Sequence, residues 1–411
     1  MKLEKGAKIA VVNCPGPANG PFTAQYLDTF WEGLRMNGHD ITGIYAVSGS
    51  SPTALMGCVR KTRELCDIWL NITSGDIVGD TSDLKSVTNL LKKVKERGSL
   101  IPRIRDVKSD YKDLKQAQGL LEKLKAGYAF SNIPLLKLIE KHCLPVIDQM
   151  FSPEAVLMKI GAVDYLTGQN VIFSNKIPEH KDLICLGTIG SMCLVPWFQS
   201  PPAIDNPVEK KLLDKAHPEF NSVWLVDGGY RNGLLLEEAI REPIGYDAIF
   251  IVDIHGLQFE EVRRTTPYNI AARLIRTNSI LSTTNNQLML SLVERINAGV
   301  EIRDTVLELK KKLQEARRLS SRPEDIEDAI KLVDEMIEQM NYGRLRLSDK
   351  RTQEIEIVSD PNPKHSVHFD FTDFSKGQTA VAQLMQKAHN AALKTLRKLG
   401  LSTKGIPLIK P

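Results

Sequence analysis

The pattern of apolar and polar positions at the start of the chain alternates between short β-type runs and helical spacing. An apolar, β-branched run at 8–13 ends in a turn with proline and glycine, and a second such run follows at 41–47. Residues 22–36 and 52–70 have the spacing of helices that bury one side. This order of strand, helix, strand and helix predicts a parallel sheet joined by right-handed crossovers.

The rest of the chain extends this α/β pattern. Further strands are predicted at 155–158, 170–173, 223–226, 248–252 and 355–358. Residues 75–148 are lysine-rich with mostly helical spacing, and we expect them to form a helical layer or cap over the sheet. Residues 266–342 predict long helices that form a hairpin, and 374–399 predict a closing helix.

We therefore expect the fold class to be α/β, a parallel-sheet sandwich with helices on both faces. The predicted core spans 5–260, with the cap at about 75–150. Residues 261–411 are expected to add the helical insertion, the last strand and the C-terminal helix to the same domain.

Composition narrows the class of protein. The chain has 411 residues, 42% of them hydrophobic and 25% charged, with a net charge of +4. This mild excess favours approach to an anionic lipid surface and is too small to indicate nucleic-acid binding. The sequence shows neither a secretory signal nor a transmembrane run, so we expect a cytoplasmic protein that can lie peripherally on membranes. The six scattered cysteines are expected to be free thiols.

The first candidate catalytic residue is Ser48, which lies between the second strand and the helix after it. A serine at such a turn is held above the sheet edge, near the positive end of the next helix. The usual pattern is Gly-x-Ser-x-Gly, whereas here the outer positions are Ala46 and Ser50. The alternative is structural, because serines at this position often cap the helix, and Ser50 or Ser51 is suited to that role.

The second candidate is Asp227, which ends a predicted strand and is followed by Gly228 and Gly229. Carboxyl ends of strands in α/β sheets are where ligand-facing groups lie. A carboxylate within reach of a serine hydroxyl can accept its proton and so support acyl transfer. The alternative is a structural Asp-Gly turn.

These two segments resemble the patatin-like phospholipases, which combine an early nucleophile-elbow serine with an Asp-Gly-Gly or Asp-Gly-Ala motif. The resemblance implies that Ser48 is the nucleophile and Asp227 the base. It also implies a lipid acyl hydrolase, a phospholipase A or esterase, that forms an acyl-enzyme on a lipid or phospholipid ester without a metal or cofactor. Other stretches resemble the family in the same order; they lie at 131–143, 164–173, 190–202 and 229–253.

The chain departs from this family in the loop after the first strand, where family members carry a glycine-rich oxyanion loop. Here the segment runs Pro15-Gly16-Pro17-Ala18-Asn19-Gly20. Proline has no N–H, so two donors are missing, and Asn19 replaces the family's arginine. The remaining candidate oxyanion donors are the N–H groups of Gly16, Gly49 and Cys14, with Ala18 as a further one.

Three other interpretations remain. His255 follows Asp227 and would complete a Ser-Asp-His order. The prolines and the missing elbow glycines are also compatible with a catalytically silent binding or scaffold protein on the same fold. Dinucleotide binding through Gly16 and Gly20 is the weakest interpretation, because the glycine spacing does not fit.

Overall fold

A computed structural model provides the structure of this chain. It describes residues 3–16, 18–78, 115, 130–195, 197–198, 224–254, 257, 270–319, 322–341, 354–360 and 377–407. The chain divides into two compact units, one formed by residues 1–285 with 356–411 and the other by residues 286–355.

The first unit is organised around a mixed, mostly parallel sheet. Its strands are β1 (Lys8–Asn13), β2 (Asp40–Val47), β3 (Leu157–Asp164), β4 (Asn170–Ser174), β5 (Leu225–Asp227), β6 (Ala248–Val252) and β7 (Glu354–Val358). Their order is β4-β3-β2-β1-β6-β7, and β5 pairs with β3. Strands β3, β2, β1 and β6 run parallel, whereas β4 and β5 run antiparallel to β3. The expected parallel sheet is therefore found to be mixed, with β4 and β5 as its antiparallel strands.

The helices of the described residues lie between and after these strands. They are α1 (Asn19–Met36), α2 (Ser51–Gly57), α3 (Thr62–Asn71), α4 (Ser74–Val78), α5 (Ile133–Cys143), α6 (Ile147–Met150), α7 (Ile184–Ser191), α8 (Leu236–Ile240), α9 (Ile270–Leu319), α10 (Glu324–Asn341) and α11 (Gly377–Lys398). Short 3-10 helices span Ser48–Ser50, Leu144–Val146, Pro178–Leu183 and Gly228–Tyr230.

The predicted elements are mostly confirmed, with two differences. Strands β1 and β6 match their predicted ranges, but β3 starts later and continues to Asp164, well beyond the predicted 155–158. The single helix predicted for 52–70 is instead two, α2 and α3. Between them Arg60 has a φ of 61°, a left-handed conformation that no helix continues through.

Side chains are buried on both faces of the sheet, as expected for an α/β sandwich. Ile9 and Val11 of β1 belong to the core cluster that includes residues of α1, α2, α3, α7 and α11. On the opposite face, a Cβ at Gly161 would lie 3.0 Å from Leu235, which leads into α8. Each face of the sheet is thus covered.

The second unit contains most of α9 and all of α10. These helices form the hairpin that the sequence predicts. Ion pairs between them join Lys310 to Asp334 at 2.5 Å and Arg317 to Glu327 at 2.8 Å. Val300, Val306, Ile330 and Val333 are buried in this unit.

Most of the predicted cap at 75–150 lies outside the described residues, which there include α4, α5 and α6. Of the helices that the structure describes, none is long and apolar enough to cross a membrane.

Candidate active site

The candidate site lies where two strands meet end to end along one edge of β3. Strand β2 pairs with β3 up to Val47 opposite Gly161, and β5 pairs with it from Asp227 opposite Ala162. Because β4 occupies the other edge of β3 over 159–163, β2 and β5 must share this edge. Strand β2 ends just before Ser48, and β5 ends at Asp227. The two residues therefore lie next to each other in the gap between the two strand ends.

At this gap the Ser48 hydroxyl donates a hydrogen bond to Asp227 Oδ2 with an Oγ–Oδ2 distance of 2.5 Å. Ser48 has a φ of 58°, a strained backbone conformation for a residue other than glycine. This conformation falls at the sharp turn between β2 and α2, where the nucleophile-elbow pattern places its serine. Both side chains are buried, with 7% of Ser48 and 6% of Asp227 exposed.

The surroundings of Asp227 suit a general base. Burial raises the pKa of its carboxyl group to about 6, although hydrogen bonds from Ser48 and the Gly229 N–H act in the opposite direction. The Gly229 N–H donates to Asp227 Oδ1 at 2.8 Å, and the Asp227 N–H donates to the Cys193 carbonyl at 2.9 Å. The carboxylate is therefore fixed in orientation and ionised at neutral pH, ready to accept a proton.

Steric constraints require a glycine at position 228, directly after Asp227. A Cβ at Gly228 would lie 2.3 Å from the Gly161 carbonyl oxygen and 2.7 Å from Val47. Gly229 is less constrained, since its nearest neighbour would be Asp227 Oδ1 at 3.0 Å. The Asp-Gly-Gly sequence thus lets β5 approach β3 closely enough for Asp227 to reach Ser48.

Ser191, at the end of α7, supports the elbow, although the sequence alone does not identify it as a site residue. Its Oγ accepts the Ser48 N–H at 2.9 Å and donates to the Gly161 carbonyl at 2.6 Å. It also lies 2.9 Å from Ser51 Oγ. This one buried hydroxyl links the strained residue after β2, strand β3 and the start of α2. The sequence signal for it is the small-residue pair Gly190-Ser191 at the end of an apolar helix, within the 190–202 segment.

The proposed cap roles of Ser50 and Ser51 are not seen, because no side chain caps the N-terminus of α2. Instead Ser50 Oγ donates to the Val47 carbonyl at 2.8 Å and lies 3.2 Å from the Asn13 carbonyl. Ser50 therefore joins the elbow to the end of β1, and this contact places the loop after β1 beside Ser48.

The three candidate oxyanion donors differ in availability. The Cys14 N–H donates to the Val252 carbonyl at 3.0 Å, so this donor already has an acceptor and its predicted role is corrected. The Gly49 N–H lies in the first turn of a 3-10 helix, where N–H groups have no intrahelical acceptor. Gly16 has a φ of 120°, which only glycine adopts readily, and its N–H has no acceptor among the described residues.

Asn19, where the family resemblance expects an arginine, holds this loop in place. Its Nδ2 donates to the Pro15 carbonyl at 2.7 Å and to Asp253 Oδ1 at 2.9 Å. Its Oδ1 accepts the Ile254 N–H at 3.0 Å, and Asp253 Oδ2 accepts the Leu257 N–H at 2.8 Å. The loop that carries Gly16 is thereby tied to the end of β6.

His255, the third member of the alternative triad, lies outside the described residues. The part of the chain that the structure describes has no group of three His, Cys, Asp or Glu side chains suited to a metal ion. No protein-family model matches the chain, and no curated protein is significantly similar to it.

Proposed function

We propose that this protein is a serine ester hydrolase of patatin-like fold that acts on lipid acyl esters through a Ser48–Asp227 dyad. The observation that carries this proposal is the 2.5 Å hydrogen bond between Ser48 Oγ and Asp227 Oδ2 at a strained strand-to-helix turn. A hydroxyl so placed, with a base at its side and N–H donors nearby, has the arrangement that acyl transfer needs.

In the first half of the reaction, Ser48 Oγ bonds to the ester carbonyl carbon while Asp227 takes the hydroxyl proton. The N–H groups of Gly16 and Gly49 stabilise the negative charge that develops on the carbonyl oxygen. The bond between the carbonyl carbon and the alcohol oxygen then breaks. The protonated Asp227 returns its proton to the departing alcohol and leaves an acyl-enzyme on Ser48.

In the second half, water attacks the acyl carbon and Asp227 takes a proton from it. The bond to Ser48 Oγ breaks, the carboxylic acid leaves, and the proton passes from Asp227 back to Ser48. A base with a pKa of about 6 suits both halves, since it is ionised at neutral pH and still returns its proton readily.

The substrate class rests on sequence resemblance. The ordered motifs around Ser48, Ser191 and Asp227 resemble those of patatin-like phospholipases, and a lipid or phospholipid ester is the substrate that this resemblance implies. The α/β sheet with its elbow after the second strand and its base after a later strand supports the same assignment.

A catalytically silent binding or scaffold protein is the alternative. It is favoured by Pro15, which supplies no N–H, and by the Cys14 N–H, which already donates to Val252. Loss of one oxyanion donor typically lowers the rate by about 10²–10³. The dyad would then remain as a structural contact.

Hydrolysis of a short p-nitrophenyl ester and release of fatty acid from phosphatidylcholine test the proposal. We expect the wild type to hydrolyse both, Ser48→Ala to lose both activities, and Ser402→Ala, which changes an exposed serine elsewhere, to keep them. A folded wild type with no activity on either substrate would contradict the proposal and favour the silent protein.

A further inference from the structure

The turn between β3 and β4 presents large apolar side chains to solvent. Tyr165 is 59% exposed and Leu166 is 63% exposed. Trp224, which precedes β5, is 46% exposed and lies beside them, because its carbonyl accepts the Tyr165 N–H at 2.7 Å. We call these three residues the apolar tip.

The apolar tip is held in a rigid turn. Asp164 Oδ1 accepts the Leu166 N–H at 3.0 Å, and its Oδ2 accepts the Thr167 hydroxyl at 2.6 Å. The Gly168 N–H donates to the Asp164 carbonyl at 2.7 Å, and Gly168 has a φ of 66°. Because the turn satisfies its own backbone groups, the exposure of Tyr165 and Leu166 is a property of the ordered structure.

The apolar tip and Ser48 both follow the C-terminal ends of neighbouring parallel strands, β3 and β2. Strands β2 and β3 are parallel, and Val47 is opposite Gly161. Strand β3 continues past that level to Asp164, so at roughly 3.3 Å per residue its turn projects about 10 Å beyond Ser48. A surface bound at the tip would therefore face the candidate nucleophile.

The chemistry of the tip fits a lipid surface better than a protein. Tryptophan and tyrosine combine an apolar ring with a polar group, which is why they concentrate at membrane–water interfaces. Three side chains at a projecting turn cannot provide the roughly 800 Å² per partner that a stable protein interface buries. Arg231 adds a positive charge beside the apolar tip. Its side chain is exposed, and a guanidinium N–H donates to the carbonyl of Gly168 in the same turn.

From these observations we propose that the apolar tip docks the protein on an anionic lipid surface, with Tyr165, Leu166 and Trp224 inserted among the headgroups and Arg231 beside a lipid phosphate. The inference deepens the proposed function, because it states how a lipid acyl hydrolase would present its site to a bilayer. Docking itself involves neither Ser48 nor Asp227.

Cosedimentation with lipid vesicles tests the docking. Wild type and a Leu166→Ser/Trp224→Ser variant are mixed with vesicles of phosphatidylcholine alone or with equal parts of phosphatidylserine. Burial of an apolar side chain in lipid favours binding by about tenfold or more, so the variant should bind vesicles at least about tenfold more weakly. Arg231→Ser should remove much of the preference for the anionic vesicles.

The matched control is Met36→Ser/Ile244→Ser. These side chains are 51% and 39% exposed and lie at the opposite, N-terminal end of the strands, just before β2 and β6. The control should bind vesicles like the wild type. Circular dichroism establishes that each variant is folded.

Hydrolysis of a short soluble ester, measured in parallel, separates the two proposals. Weaker vesicle binding with unchanged hydrolysis of the soluble ester supports docking by the tip. Vesicle binding without any hydrolysis would support the docking and contradict the proposed function. A wild type that does not bind vesicles, or a tip variant that binds as well as the control, would overturn the docking proposal.

Discussion

Ser48 and Asp227 stand at the facing ends of two strands that share one edge of β3, and a hydrogen bond of 2.5 Å joins their side chains. The two residues are 179 positions apart in the chain. The glycine after the aspartate and the hydroxyl of Ser191 support this contact, and Asn19 separately ties down the loop that carries Gly16. Each support can be removed separately, and each removal has its own expected result.

The activity should depend on the ionisation of Asp227. Burial raises the pKa of this carboxyl group to about 6, and only the ionised form accepts the Ser48 proton. We expect kcat/KM for a soluble ester to be constant well above pH 6 and to fall about tenfold per pH unit well below it. A profile that stays flat down to the usual carboxyl pKa near 4 would contradict the role of a buried base.

Gly228→Ala should disrupt the dyad, because the new Cβ would lie 2.3 Å from the Gly161 carbonyl oxygen. Overpacking of this kind destabilises a fold by about 1–3 kcal/mol. Displacement of the base by about 1 Å is expected to lower kcat by about 10²-fold.

Gly229→Ala is the matched comparison, because the nearest neighbours of its Cβ would be Asp227 Oδ1 at 3.0 Å and Pro15 at 3.5 Å, with no backbone atom as close as at Gly228. It should have a smaller effect on both kcat and the unfolding temperature. Equal effects of the two substitutions would show that close approach at Gly228 does not position the base.

Ser191→Ala should weaken the elbow, since it leaves the Ser48 N–H and the Gly161 carbonyl without this shared partner. A buried polar group that loses its partner costs about 1–3 kcal/mol. We expect both a lower free energy of unfolding and a lower rate of acylation, measured by denaturant titration and by stopped-flow kinetics.

Thr188→Ala provides the control for Ser191. Thr188 is buried on the same helix, and its hydroxyl donates only within that helix, to the Ile184 carbonyl at 2.7 Å. It should lower stability without a comparable change in acylation. If both variants lose activity in proportion to stability, Ser191 has no specific part in positioning Ser48.

Asn19→Ala should affect transition-state stabilisation more than substrate binding. Without this side chain the Pro15 carbonyl loses its link to Asp253, and the Gly16 N–H is no longer held in place. Loss of one oxyanion donor corresponds to about 10²–10³ in kcat, with little change in KM.

Asn37→Ala is the comparison at the other end of α1, where Asn37 Nδ2 donates to the Gly33 carbonyl at 2.7 Å. It removes a similar side-chain-to-backbone bond far from the site and should leave kcat unchanged. An Asn19→Ala enzyme with wild-type kcat would place the oxyanion donors elsewhere.

Local signals in the sequence are sufficient for β1 and β6 and for the position of Ser48. The run before Asn13 and the run before Asp253 are short, apolar and bounded by turn residues, so β1 and β6 could be located to the residue. The small residues around Ser48 likewise marked a tight turn after a strand. The antiparallel pairing of β5 with β3 could not be read in this way, because strand neighbours are set by tertiary packing.

The residues that support the site, Ser191 and Asn19, are harder to predict from the sequence because their partners too are set by tertiary packing. Ser191 meets Ser48 across 143 positions and Asn19 meets Asp253 across 234. The sequence around a single polar side chain in an apolar segment does not indicate which residue that side chain contacts. In the sequence Asn19 stands out only as the residue in place of an arginine, whereas in the structure it bonds to two separate segments.

Reaction with a fluorophosphonate, followed by mass spectrometry of the modified peptide, tests the central claim most directly. The account predicts a covalent adduct on Ser48, none on Ser50, Ser51 or Ser191, and much slower labelling in Asp227→Asn, because the serine then lacks its base. No adduct on a folded wild type, or an adduct on a different serine that persists in Ser48→Ala, would contradict the proposal that Ser48 is the nucleophile.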